Sequence, residues 1–299
     1  MVTNHASRIT AIFFERDNLS DLSDSKGPLA QEISEHYSSG YEEGRLSNDL
    51  GQLEFLRTQE ILTRYLPPPP AVVLDVGGGP GAYSCWLARL GYETHLIDGM
   101  PLHVEQSRRA SESQPDHPIA SLAVGDARNL DIADGFADAV LLLGPLYHLT
   151  EREDRIRAIA EAGRVARHGA VIIAVVISRF ASTFDGLFRG YMDDPEFVSI
   201  AERDLRDGQH RNPNDKRAYF TTAYFHHPAE ILGEMEEAGL KGEEVLPVEG
   251  PAWLLQNFSH HWQDAGRRSR LLDAIRRIED EPSLIGVSAH IITIARKQA

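Results

Sequence analysis

The run Leu74-Asp75-Val76-Gly77-Gly78-Gly79-Pro80-Gly81 follows an apolar stretch and precedes a helical one. With no Cβ in the way, Gly77, Gly79 and Gly81 let backbone approach a ligand closely. Their every-second-residue spacing differs from the G-x-G-x-x-G pattern that seats a pyrophosphate, so a pyrophosphate is not the favoured ligand. Two acids close the next apolar runs. Asp98 ends Leu96-Ile97-Asp98, about 20 residues after the loop, where a carboxylate accepts hydrogen bonds from both hydroxyls of a ribose. In Gly125-Asp126-Ala127, the Asp126 side chain can accept from an adenine amino group while the Ala127 N–H donates to the ring. Either acid alone is a common cap or loop residue. Three such signals in order, each at a strand end, point to one shared ligand.

The surrounding sequence supplies the elements that would hold these residues. Leu53, Leu56, Ile61, Leu62 and Leu66 recur near a 3.6-residue period, which predicts an amphipathic helix over 50–66, stopped by the four prolines 67–70. Strands are then expected at 71–76, 94–98, 119–124, 137–143 and 170–178, alternating with helices at 82–90, 102–111 and 151–167, the last ended by Gly169. Such alternation indicates a parallel sheet with helices on both faces. The scheme breaks at an aromatic helical stripe, Phe180, Phe184, Leu187, Phe188 and Tyr191, followed by a helix opened by Pro195 and a polar loop over 207–215. It resumes with a helix from Pro228 to Ala238, ended by Gly239, and a strand near 243–248. A second interruption over 250–286, carrying Trp253, Phe258 and Trp262, precedes a closing strand at 288–295. Both insertions are expected over the same end of the sheet, as core or as a lid.

Composition narrows the function. The chain has 299 residues, 25% charged and 42% hydrophobic, with a formal net charge of −15. That charge opposes a phosphate backbone, so no nucleic-acid partner is expected. The single cysteine, Cys85, rules out a Cys-built metal cluster and reads as packed core. His226-His227 and His260-His261 are neighbours whose side chains would diverge by about 100° on a helix, so no metal is implied. The start of the chain lacks a basic and apolar leader, and no run approaches the ~18–20 apolar residues of a membrane span; a cytoplasmic location is expected.

The glycine loop, Asp98 and Gly125-Asp126-Ala127 resemble the motifs of class I S-adenosylmethionine-dependent methyltransferases. The likeness is good over 66–178 and weaker over 228–248 and 288–295. It implies an α/β fold: a Rossmann-like, seven-stranded, mostly parallel sheet with an antiparallel last strand, a helical N-terminal cap and helical lid insertions. The divisions expected are cap 1–66, core 67–178, lid 179–226, core 227–249, second lid 250–287 and final strand 288–299. By the resemblance, Gly77 and Gly79 lie against the donor's methionine moiety and Asp75 holds the Gly77–Gly81 loop or the ligand's ammonium group. Asp98 binds the ribose, Asp126 and Ala127 the adenine, and Met100 packs on it. Leu143-Gly144-Pro145-Leu146-Tyr147-His148 falls beside the sulfonium. There His148 is a general base, or else caps a helix or orients Tyr147 or the loop, and Tyr147 is placed to orient the acceptor. Tyr37, Tyr41 and Arg45 share one helical face if Gly40 and Gly44 permit it, and the resemblance puts Tyr41 and Arg45 near the donor. The activity implied is methyl transfer from S-adenosyl-L-methionine to oxygen or nitrogen of a small organic acceptor, with S-adenosyl-L-homocysteine as product. The rival readings are a catalytically silent donor-binding protein and a nicotinamide dehydrogenase.

Overall fold

Short apolar runs separated by helices build a sheet whose first five strands end at one edge. The computed structural model describes residues 31–38, 40–214 and 216–298, apart from the side chains of Gln31, Tyr41 and Arg217. The strands are β1 (Val72–Val76), β2 (Glu93–Asp98), β3 (Ser121–Val124), β4 (Ala137–Leu142), β5 (Ala166–Ser178), β6 (Gln209–His210), β7 (Ala223–His226), β8 (Leu240–Pro247) and β9 (His290–Lys297). The first five run parallel in the order β3-β2-β1-β4-β5. β9 pairs antiparallel with β5 and with β8, so the expected antiparallel last strand sits between two strands of opposite sense.

Helices cover both faces because residues alternate along each strand. Leu74, Val76, Val140, Leu142, Ile172 and Ala174 pack with Ile159 of α5 (Arg152–Val165) and Ile231 of α8 (Glu230–Glu237). Val73, Leu141, Ile173 and Val175 pack on the other face with Ile61 and Leu62 of α2 (Asp49–Tyr65) and Leu87 of α3 (Ala82–Arg89). The remaining helices are α1 (Gln31–Ser38), α4 (Pro101–Glu112), α6 (Ala181–Arg189), α7 (Pro195–Asp207), α9 (Phe258–Gln263) and α10 (Ala265–Ile278). Among the described residues, no helix is long and apolar enough to cross a membrane.

Two local expectations are corrected, and a third is decided between the two readings offered, core or lid. α5 ends at Val165, with Ala166 already extended, so Gly169 turns the chain within β5 and does not cap the helix. The supposed polar loop at 207–215 contains β6, which pairs antiparallel with β7, and β7 extends the tip of β5 through Ile177–Phe225 and Ser178–His226. Polarity misled there because the polar groups satisfy one another inside: buried His210 lies between Asp204 (2.9 Å) and the Tyr219 carbonyl (2.6 Å) and stacks on Phe225. In the second insertion, Phe258 and Trp262 are core, packed with Leu53, Leu272 and Ile275.

Candidate active site

The glycine loop is shaped by what surrounds it. Gly77, Gly79 and Gly81 all have positive φ (72°, 55° and 84°), a region costly for residues with a Cβ. A Cβ on Gly77 would lie 2.7 Å from Pro145, and one on Gly78 2.7 Å from Asp75 Oδ2, whereas Gly79 faces open space. Ser107 pins the loop from α4 by donating to the Gly79 carbonyl at 2.8 Å. Asp98, at the tip of β2, accepts from Gly79 N (2.9 Å), from Met100 N (2.8 Å) and, at 3.1 Å, pairs with His103. A carboxylate offers about four lone-pair sites, so at least one stays open to a hydroxyl. Gly125 N donates to the Asp98 carbonyl at 3.0 Å, which sets Asp126 at the adjacent tip. The tips of β1, β2 and β3 therefore lie side by side, bordering the cleft expected to hold the ligand.

The residues around that cleft differ in part from their expected roles. Asp75 is fully buried; Ser84 donates to its Oδ2 at 2.7 Å, and burial pushes the carboxyl up to about 6. Asp126 is already clasped by Arg128, whose guanidinium also reaches Asp154, so an adenine amino group would have to share it. Met100 packs with Ile33 and Tyr37 of α1, which roof this side of the cleft. Tyr37, Tyr41 and Arg45 do not form one helical face. α1 ends at Ser38, left-handed Gly40 (φ 72°) breaks the chain direction, and a 3-10 turn spans Tyr41–Ser47. The Tyr41 side chain lies outside the described residues. Arg45 is held by Glu42 (2.6 Å) and forks onto Glu54, and these two acids outweigh burial to keep its guanidinium charged.

Beside the cleft, a 3-10 turn over Leu146–His148 follows β4, with Leu143 partly buried against the sheet and Tyr147 facing a cavity. His148 Nε2 meets the Tyr37 hydroxyl at 2.8 Å, and the Tyr37 ring stands edge-on to both His148 and His103. Burial, aided by His36, pushes the His148 imidazole down to about 3. It is thus neutral and weakly basic, which fits positioning of Tyr37 better than proton abstraction. Linkage gives a sign: unfolded, the ring titrates near 6.5, so below that pH only the unfolded chain takes up its proton. Wild type should therefore lose more stability than His148→Gln between pH 7 and pH 4.5 in urea unfolding. Equal losses would contradict the buried neutral ring.

The cavity holds about 680 Å³ and is lined from both insertions and from the N-terminal segment, by Tyr37, Tyr147, Phe220, Trp253, Arg45 and His290 among others. A larger depression of about 940 Å³, between Asn48–Leu50 and Asn257–His260, is more open and touches no strand tip, so the smaller one is the chemically placed space. At its far wall Glu54, Glu249 and His290 gather with ligand-type atoms within 4.8 Å of one another.

The methyltransferase domain family matches residues 74–174, which carry the glycine loop, Asp98 and Asp126. Over residues 74–174 the chain matches a methyltransferase domain. The chain is 33% identical over 102 residues to glycine/sarcosine N-methyltransferase of Parasynechococcus marenigrum, covering 34% of this chain and 36% of that one. It is 34% identical over 106 residues to malonyl-[acyl-carrier protein] O-methyltransferase of Methylococcus capsulatus, covering 36% and 37%. The match thus spans about a third of these relatives' length. A solved S-adenosylmethionine-dependent methyltransferase from Methanosarcina mazei superposes with a TM-score of 0.54 at 17% identity, covering 80% of this chain and 97% of that one. The CcbJ methyltransferase of Streptomyces caelestis gives 0.54 at 14%, covering 92% and 100%. At such identities the likeness is one of fold.

S-adenosyl-L-methionine is the cofactor of class I methyltransferase domains, with S-adenosyl-L-homocysteine as product. The residues present fit it. Gly79 leaves open space in the loop, and the buried polar atoms Asp75 Oδ1 and His103 Nε2 have no hydrogen-bond partner among the described residues. Glycine spacing and strand-end acids made the tips of β1, β2 and β3 readable. Tyr37 was named only as part of a helical face with Tyr41 and Arg45, and His103, Glu54, Glu249 and His290 were missed. For His290 a signal existed: a histidine opening an otherwise apolar strand, at the end where an antiparallel last strand meets the tips of the parallel ones.

Proposed function

We propose that this chain transfers a methyl group from S-adenosyl-L-methionine to oxygen or nitrogen of a small organic acceptor bound in the 680 Å³ cavity. One observation carries the reading: the Gly79 N–H on the Asp98 carboxylate, 2.9 Å apart, joins the glycine loop to the ribose-binding acid beside a partly enclosed cavity. The donor supplies an electrophilic methyl carbon, attacked in line as its bond to sulfur breaks. Gly77, Gly79 and Gly81 would border the methionine moiety, Asp98 would take the ribose, and Ala127, Met100 and Asp126 the adenine. Leu143 and Tyr147 would flank the reacting centre. Arg45 and Tyr41 belong to the segment closing the donor cleft, and Arg45 would reach an anion only in competition with Glu42 and Glu54. In-line displacement gains most from positioning and exclusion of water, which a cavity walled by Tyr37, Phe220 and Trp253 provides. The relatives named above act at nitrogen and at oxygen, which supports both atoms as targets.

The test is incubation of the full chain with donor carrying a deuterated methyl group and a fractionated small-molecule extract, read by mass spectrometry. The expected result is a product gaining one labelled methyl. Tight S-adenosylhomocysteine binding with no labelled product from any fraction would favour a silent binding protein; NAD binding without S-adenosylhomocysteine binding would favour a dehydrogenase.

A further inference from the structure

With His148 held neutral and weakly basic, the cavity contains a better-placed proton acceptor. β9 runs antiparallel to β5, so its first residue lies where β5 ends: His290 is opposite Ile177. Its Nδ1 meets Glu249 Oε1 at 2.5 Å. Glu249, 3% exposed, is itself fixed by the Ser288 hydroxyl (2.8 Å) and the His290 N–H (3.0 Å). A carboxylate so held makes Nδ1 the donor and directs the Nε2 lone pair outward. Among the described residues Nε2 has no hydrogen-bond partner, and the ring lines the same cavity as Tyr147 and Tyr37. We propose that His290, oriented by Glu249, takes the proton of a protic methyl acceptor, a hydroxyl or an amine, bound in this cavity.

The inference rests on the methyl-transfer reading and deepens it. The acceptor's oxygen or nitrogen forms the bond to the methyl carbon, and the pair of the broken carbon–sulfur bond stays on sulfur. The pair of the O–H or N–H bond remains on the acceptor atom, and its proton passes to Nε2. A neutral acceptor gives a neutral product, and the positive charge lost from sulfur is found on the imidazolium. The groups facing that ring are Glu249, Glu54 of α2 (3.9 Å) and Arg45, with Tyr83 of α3 behind the two acids; Glu42, Asp185, Arg189, His36 and His210 line the same cavity. Burial disfavours the charged ring, but Glu249 and Glu54 outweigh it and hold it up to about 9. The unprotonated form therefore grows as pH rises toward 9. A divalent cation at Glu54, Glu249 and His290 is the competing use of this cluster. It would need the Nδ1 already bonded to Glu249, and the carboxylate of Glu54 already forked by Arg45.

The test uses the full chain, labelled donor and three probes over pH 6–10: benzylamine and phenol, which must lose a proton, and benzoate, which need not. With a protic probe, the expected kcat/KM rises with pH in wild type and is half-maximal near 9. That limb should move at least one pH unit lower in Glu249→Gln. His290→Gln should lose about 10²-fold or more in kcat on protic probes only, with S-adenosylhomocysteine affinity retained by calorimetry. A limb unmoved by Glu249→Gln, equal loss on benzoate, or activity removed by a chelator and restored by Mn²⁺ or Zn²⁺ would overturn the proposal. If no probe is methylated, carbon-labelled histidine NMR of the S-adenosylhomocysteine complex decides. A His290 ring titrating above pH 8, lowered in Glu249→Gln and shifted by phenol or benzylamine, supports it. A ring titrating near 6.5, or unmoved by both probes, overturns it. Loss of S-adenosylhomocysteine binding by wild type would instead defeat the methyl-transfer reading.

Discussion

Asp98→Ala is expected to weaken S-adenosylhomocysteine binding by about 10²–10³-fold, since hydrogen bonds from two ribose hydroxyls to a carboxylate are each worth about 1.5–3 kcal/mol. The effect has a second source. Asp98 accepts from Gly79 N and Met100 N and pairs with His103, so its removal also frees the glycine loop and the start of α4. Asp98→Asn separates the two: it keeps an oxygen for Gly79 or Met100 but halves the acceptors available to the sugar. Calorimetry with S-adenosylhomocysteine reads both variants. Affinity within threefold of wild type for Asp98→Ala would remove this residue from the donor site, and with it the observation on which the functional reading stands.

The second large effect concerns stability. Glu234→Gln should cost about 3–5 kcal/mol of unfolding free energy, the usual penalty for leaving a buried charge without its partner. Arg155 and Glu234 have side chains 1% and 3% exposed and meet at 2.7 Å, with the guanidinium stacked on the Tyr224 ring. Burial opposes ionisation of Glu234, but hydrogen bonds from His226 and Arg155 outweigh it and hold the carboxyl down to about 2. Its folded value is lowered, so this stabilisation is present above the unfolded value near 4.3 and is lost as pH falls toward 2. The other Arg155 nitrogen donates to the Leu149 and Thr150 carbonyls, directly after the turn that carries Tyr147 and His148. The damage should therefore reach the site as well as the fold. Urea unfolding is the measurement; an Arg155→Met, Glu234→Leu double variant should recover much of the loss, because both charges then leave the interior.

Periodic apolar runs made the sheet readable because alternation along a strand and 3.6-residue recurrence along a helix are local properties. Gly77, Gly79 and Gly81 were readable for the same reason: a left-handed backbone next to a strand end calls for glycine whatever lies elsewhere. The failures share another cause. The stretch around His210 reads as a loop until Asp204 and Tyr219 are known to satisfy it, and Tyr37 reads as one member of a stripe until Gly40 turns the chain. The Asp126 carboxylate reads as open until Arg128 folds back on it.

Sequence by itself therefore determined which residues stand at the tips of β1, β2 and β3, because a glycine turn and a strand-end acid are local signals. The cavity was decided by tertiary structure. Its wall joins Tyr37, Glu54, Tyr147, Glu249 and His290 across more than 200 positions of chain. The acid–base character of His148 and His290 arises from burial and from carboxylates brought close only by folding. Two histidines with the same intrinsic chemistry are pushed in opposite directions, because one is buried next to other imidazoles and the other next to two carboxylates.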